Sequence, residues 1–261
     1  MPVHHFADMT WEEVRDVERS RAVAILPVGA VEAHGPHLPL GTDVVIARGM
    51  ARACADLLAA RGRDVFLLPP MWYTAASFAE AFPGTVSIAA DTTRDTIVQI
   101  AAALGAQGIR TLAIANAHLD PVHLSSLRDA VLVSERHGAG AGEAARVVFL
   151  DLTRRRSAER LTDEFRTGAC HAGRFEGSIV LAEAPELVRS EVAAGLRPVP
   201  SSLSEAIREG KRSFAEAGGA RAYFGWPADA TAAEGRASVE VLGEMLAEAV
   251  LEGGPAGETG S

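Results

Sequence analysis

Along this chain, short unbroken apolar runs alternate with longer stretches in which apolar positions recur every three or four residues. The runs Ala22–Leu26, Val65–Leu68, Thr111–Ala115 and Arg146–Asp151 read as short strands buried on both faces. Between them, Ile46, Met50, Ala53 and Leu57 repeat at helical spacing and predict a helix over Val44–Arg61, which Gly62 ends. Asp91-Thr92-Thr93 opens another helix, marked by Ile97, Ile100, Ala101 and Leu104. Leu124–His137 and Ala232–Leu251 follow the same pattern, and Gly177–Glu183 reads as a shorter helix. Thr10 with Glu13 forms a capping box for a short helix from Trp11 to about Arg19, after an irregular stretch over 1–9. Val86–Ala89 reads as a further strand, Leu203–Glu216 as a polar helix, and 152–170 and 190–203 as irregular. Strand and helix alternate, which predicts an α/β fold, a three-layer αβα sandwich around a mostly parallel sheet. There are no repeats and no long linker, so residues 1–251 are expected to form one domain and 252–261 a mobile tail.

The alternation places chemistry at strand ends. In parallel sheets, functional residues collect in the loops at the carboxyl ends of strands. After the first run comes Ile25–Ile46, ILPVGAVEAHGPHLPLGTDVVI, in which Glu32, His34, His37 and Asp43 are interleaved with Gly29, Gly35, Pro36, Pro39 and Gly41. The Gly and Pro residues predict a tight, stiff loop. Glu32 and His34 are two apart, a spacing that puts both side chains on one face of extended backbone. After Thr111–Ala115 comes NAHLDPVH, with Asn116, His118, Asp120 and His123, where His118 and Asp120 repeat that spacing. A third cluster, CHAGRFEGS, holds Cys170, His171, Arg174 and Glu176.

Glu32, His34, Asp43, His118 and Asp120 form a mixed nitrogen and oxygen donor set, which suits zinc, manganese or iron. Five donors exceed what one catalytic ion takes, and they suit two ions bridged by a carboxylate. Asp43 is the expected bridge, with Glu32 and His118 on one ion and His34 and Asp120 on the other. Paired ions generate hydroxide at neutral pH and polarise a carbonyl. His171 is the candidate for proton transfer to a leaving nitrogen. His37 is expected to buttress the loop. A Cys170 nucleophile beside His171 is the competing reading, and a metal-stabilised binding protein without turnover is a third. Trp72, Tyr73, Phe78 and Phe82 either line a pocket or pack in the core, with packing preferred.

Composition narrows the partners. A net charge of -9 without a basic run argues against a nucleic-acid partner. No apolar run reaches the length of a membrane helix, and MPVHHFADMTWEEV lacks the pattern of a signal peptide. Two cysteines, both expected to be reduced, fit a cytoplasmic location.

The loop VGAVEAHGPHLPLGTD resembles the signature of the creatininase family of metal-dependent amidohydrolases. HAGRFEGS resembles that family's second signature, and FPGTVSI and PADATAAEG resemble further family segments, so the likeness runs from about Ala22 to Gly243. The resemblance implies a three-layer αβα fold, two divalent ions per chain (zinc or manganese, sometimes iron), a small-molecule substrate and a homo-oligomer, often a hexamer. It places the metal ligands on Glu32, His34, Asp43, His118 and Asp120, and catalytic roles on His171 and Glu176. The chain departs from the pattern in having NAHLDP where many members have NGHGGN. Asp120 stands where creatininase has a glutamate; if the shorter side chain falls short, Glu176 is the substitute. The segment before His171 lacks creatininase's tryptophan, and Arg174 replaces a small or acidic residue. The expected reaction is therefore hydrolysis of a C–N bond in a substrate other than creatinine. Related chemistries in the family act on a formamide, a peptide C-terminus or a keto-cyclitol ring.

Overall fold

The computed structural model describes residues 1–141, 144–168 and 170–252, with backbone only for 137–141. The segment 253–261, expected to be mobile, lies outside the described residues, as does the side chain of His137. Strands β1 (Val3–His5), β2 (Val23–Val28), β3 (Val65–Leu67), β4 (Thr111–Asn116) and β5 (Arg146–Phe149) form a five-stranded sheet in the order β1-β3-β2-β4-β5. All four pairings are parallel. In chain order the helices are α1 (Trp11–Asp16), α2 (Thr42–Ala60), α3 (Ala90–Ala106), α4 (Pro121–Ala141), α5 (Arg155–Ala158), α6 (Asp163–Thr167), α7 (Arg174–Glu183), α8 (Ser190–Ala194), α9 (Leu203–Arg208) and α10 (Ala232–Glu252).

The two-residue period of the strands divides the core. Val23 and Ile25 of β2 and Ala113 and Ala115 of β4 face a cluster with Met50 and Leu58 of α2 and Leu242 and Leu246 of α10. Ala24, Leu26 and Val28 of β2 and Leu112 and Ile114 of β4 face the opposite way, on to Ile97 and Leu104 of α3 and Leu127 of α4. Every β2 residue is therefore buried, which is why the run carries no polar alternation. The three-layer αβα sandwich expected from the alternation is present.

Four local expectations differ. Val86–Ala89 is extended but joins no ladder: Val86 N–H donates to Val31 O, Ile88 N–H to Thr74 O, and Ser87 Oγ accepts from Ala76 N–H. The segment 1–9 contains β1, whose His4 and His5 hid a strand that pairs along β3. The polar helix ends at Arg208, because Gly210 turns left-handed at φ +86° and Lys211 N–H donates to Ala206 O. The segments 152–170 and 190–203 contain the short helices α5, α6 and α8. No helix among the described residues is long and apolar enough to cross a membrane.

Candidate metal centre

The carboxyl ends of β2 and β4 deliver the first donors. Glu32 and His34 lie in the loop after β2, and His118 lies just after β4. Asp43 sits in the first turn of α2 and Glu176 in the first turn of α7, where the unpaired amides of a helix start favour a carboxylate. His171 lies in the turn just before α7. All six side chains are buried.

Their atoms converge. Asp43 Oδ1 lies 3.4 Å from His34 Nε2, and Asp43 Oδ2 lies 3.2 Å from His118 Nδ1. Glu32 Oε1 is 3.3 Å from His118 Nδ1, and Glu176 Oε2 is 3.5 Å from His34 Nε2. Three donor triads result: Glu32, Asp43 and His118; His34, Asp43 and Glu176; and Glu32, His34 and His171.

Backbone carbonyls fix the imidazoles. His34 Nδ1 donates to Glu32 O at 3.1 Å, His118 Nε2 to Ala75 O at 2.8 Å, and His171 Nε2 to Ala33 O at 3.0 Å. A carbonyl only accepts, so the hydrogen of each neutral ring sits on that side and the other nitrogen turns a lone pair toward the carboxylates. Lone pairs then face lone pairs, an arrangement that needs positive charge at its centre. Glu32 Oε2, His34 Nε2 and Asp43 Oδ2 are buried without a well-formed hydrogen bond, so the cluster fits divalent ions.

The same demand is visible in proton affinities. Burial would lower the His34 imidazole, yet Asp43, Glu176 and Glu32 push it up to about 10. His118 moves well up, with Glu32 and Asp43 overcoming burial. Asp43 is held well below the usual carboxylate range by His34 and His118, against its own burial. Burial raises the Glu176 carboxyl to about 8, with Asp43 and Glu32 adding to it and His34 opposing. His171 moves the other way: burial, then the His34 charge, lowers it well below its ordinary value and keeps it neutral.

A family model described as "Creatininase: Creatinine amidohydrolase" matches residues 7–250. The chain belongs to the creatininase family. It is 31% identical over 230 residues to a mycofactocin precursor peptide peptidase of Mycobacterium ulcerans (strain Agy99), covering 87% of this chain and 82% of that one. It is 28% identical over 192 residues to a creatinine amidohydrolase of Pseudomonas putida, with 69% of this chain and 72% of that one covered. A solved mutant creatininase of Zn–Zn type superposes with a TM-score of 0.70 at 23% identity, over 98% of this chain and 100% of the other.

Within this creatininase-family chain, Asp120 is the sequence candidate that stays outside the donor triads. Its Oδ2 accepts from Ser77 Oγ at 2.9 Å and Phe78 N–H at 3.0 Å, and its Oδ1 accepts from Val122 N–H at 2.8 Å and His123 N–H at 3.3 Å. The cause is local. The chain turns at Asp120 into α4, so the extended spacing that would align it with His118 ends there, and the carboxylate caps the helix instead. Glu176 takes the place among the donors that Asp120 leaves.

His37 is buried away from the triads, its ring edge-on to Tyr223 at 6.2 Å and its carbonyl accepting from Arg189 N–H. Burial, with the His34 charge adding, lowers it to about 4. His123 Nε2 meets Asn116 Oδ1 at 2.8 Å, and Asn116 Nδ2 donates to His118 O, so both residues brace the His118 loop. Cys170 borders the same cavity as His171, but burial and the nearby Glu176 and Glu164 charges push its thiol well up, so it is held protonated and poorly nucleophilic. Phe78 lines that cavity, Phe82 packs beside Phe214, and Trp72 and Tyr73 are exposed.

Three contributors escaped sequence reasoning. Glu164 accepts from the N–H groups of Arg174, Phe175 and Trp226, and so anchors the start of α7. Phe214 stacks on the His171 ring at 4.1 Å between centroids. Ala172, held left-handed at φ +49°, turns its N–H on to Glu176 Oε2 at 2.7 Å. Glu164 and Phe214 sit outside the motifs, and Ala172, inside HAGRFEGS, has a side chain that announces no role; an acid in the preceding short helix carries no local signal for the start of α7.

Proposed function

We propose that the chain hydrolyses a C–N bond of an amide other than creatinine, with two divalent ions held by Glu32, His34, Asp43, His118 and Glu176 and with His171 as the proton carrier. The observation that carries this reading is the division at Asp43, whose two oxygens each face a different imidazole. One ion would have Glu32, Asp43 and His118, and the other His34, Asp43 and Glu176. The mixed nitrogen and oxygen set suits zinc or manganese. Paired ions of this kind supply activated water and a polarised carbonyl.

Hydrolysis joins the oxygen of water to the carbonyl carbon, breaks the C–N bond and places one of water's protons on the departing nitrogen. His171 is placed for that transfer: its Nε2 is committed to Ala33 O, and its Nδ1 turns toward Glu32 at 3.9 Å. Phe214 against the ring face limits its rotation. Glu176 belongs with the ligands in this reading, since Ala172 N–H fixes its Oε2 at 3.5 Å from His34 Nε2. The likeness to a peptide peptidase supports an acyclic or peptide-like amide.

Two coarser properties complete the reading. Leu40, Trp72, Tyr73 and Val86 are exposed on the loops around the site, with Gly41 packed under Trp72 and Gly84 under Leu40; this supports association with further copies, a hexamer by family likeness. Free Cys54 and Cys170 support a reducing, cytoplasmic location. Residues 1–251 act as one domain around the single sheet.

The test is elemental analysis of protein purified without chelator, followed by assay on an amide panel. About two ions per chain are expected, with activity lost to chelator and restored by zinc or manganese. Turnover that survives complete metal removal overturns the proposal in favour of Cys170.

A further inference from the structure

The cavity that opens on to the cluster has a volume of about 210 Å³. Its floor is Glu32, Asp43, His118 and Glu176 with His171. Its wall is of another character: Phe78, Leu119, Phe165, Leu203, Ile207 and Phe214. An apolar cavity of about 150 Å³ accepts benzene, so this one has room for a ring and a short aliphatic arm beside the reacting carbonyl.

Two charged side chains on the wall, Arg166 and Asp120, are occupied within the protein. Arg166 pairs with Asp163 and donates to Leu161 O, and Asp120 uses both oxygens on Ser77, Phe78, Val122 and His123. Asp120 therefore offers no free charge to a ligand, and Arg166 shares its charge with Asp163 in a solvent-exposed pair. An ionic substrate group placed against the apolar side chains of this wall would lose its hydration without a partner. Asp120 also does something specific to the wall: it ties the Ser77–Phe78 backbone to the start of α4 and so sets where the Phe78 ring stands.

We infer that the substrate carries an uncharged, apolar group of about ring size next to the scissile amide, and that Asp120 is a positioning residue that shapes the wall by holding Phe78. This rests on the hydrolase reading above, whose site it specifies. An apolar group that displaces water from such a wall raises kcat/KM, and even one methylene changes it by roughly tenfold or more.

The experiment uses the metal-loaded protein and two matched series. One varies the acyl side: acetamide, 4-methylpentanamide and phenylacetamide, with malonamate and glycinamide as charged members, read by ammonia release. The other varies the amine side as N-substituted formamides with the same groups, read by formate release. In at least one series kcat/KM should rise roughly tenfold or more from methyl to benzyl, and the charged members should fall below the methyl member. Phe78→Ala and Asp120→Asn should each shrink the benzyl-to-methyl ratio severalfold, mainly through KM, with metal content intact. Turnover that is flat across both series, or higher for a charged member, overturns the inference. Loss of metal in Asp120→Asn overturns the positioning role. Calorimetric titration with phenylacetamide and acetamide tests the wall independently of turnover. Roughly tenfold tighter binding of the phenyl compound without any hydrolysis would sustain the wall and sink the hydrolase reading; equal or weaker binding overturns the wall.

Discussion

Asp43 presents one oxygen to each of two imidazoles, whereas Glu32 lies closest to His118 and Glu176 closest to His34. Asp43→Asn removes a charge common to two of the three triads, the two assigned to ions in the proposal, and it should lower the occupancy of both ions. Glu32→Gln should empty mainly the His118 ion. Metal stoichiometry of the two purified variants decides this, and matching single-ion losses would contradict the division. Side chains in the loops were the easiest to read from sequence. Glu32 and His34 come together as their two-residue spacing predicts, and the surrounding Gly and Pro residues mark a stiff loop. Asp120 stays outside the triads because the two-residue spacing does not carry across a helix start. Asp followed by Pro is itself a helix-start signal, and that local rule outweighs the alternation.

Helix α7 carries Glu176, and its seat against α10 is set by Gly235. A Cβ at that position would lie 1.9 Å from Ser178 O, a backbone atom of α7 that has no rotamer to move. Gly235→Ala should therefore force the helices apart at a cost of about 1–3 kcal/mol or more, read as a lower Tm in calorimetry. A Tm equal to that of the parent would show that the contact is softer than its distance implies. Elements with a strong period were legible, since β2, α2, α3, α4 and α10 bury continuous faces. Val86–Ala89 has the residues of a strand, but its N–H groups find single acceptors in two separate loops, and pairing of that kind leaves no trace in a local pattern. The helix expected through Glu216 stops at Arg208, ahead of the left-handed Gly210, which frees Phe214 to reach His171. Reading through a glycine preserved the helix on paper and hid the ring that stacks on a site residue.

In the whole molecule, the layers bring buried carboxylates from the loop after β2, from α2 and from α7 to one point at the carboxyl end of the sheet, where Asp43 and Glu176 both lie near His34. Their mutual repulsion opposes folding unless positive charge is present. Removal of metal by chelation should thus lower Tm by roughly 5–10 °C, the shift expected for losing a ligand held at about a hundred times its Kd. Zinc or manganese should restore the original value, and an unaltered melting curve would mean that ions are not part of the folded interior. The spread of the donors along the chain has a further consequence in time. Glu32 and His34 leave the ribosome well before Glu176, and β2, which presents them, lies between two strands that are made after it. A growing chain therefore exposes an incomplete set of ligands throughout most of its synthesis. In the proposed reading the triad of Glu32, Asp43 and His118 is complete once β4 has been made, whereas the second triad waits for α7 to bring Glu176, so that second site would be filled from the metal supply the finished fold meets and not from the one around the nascent chain.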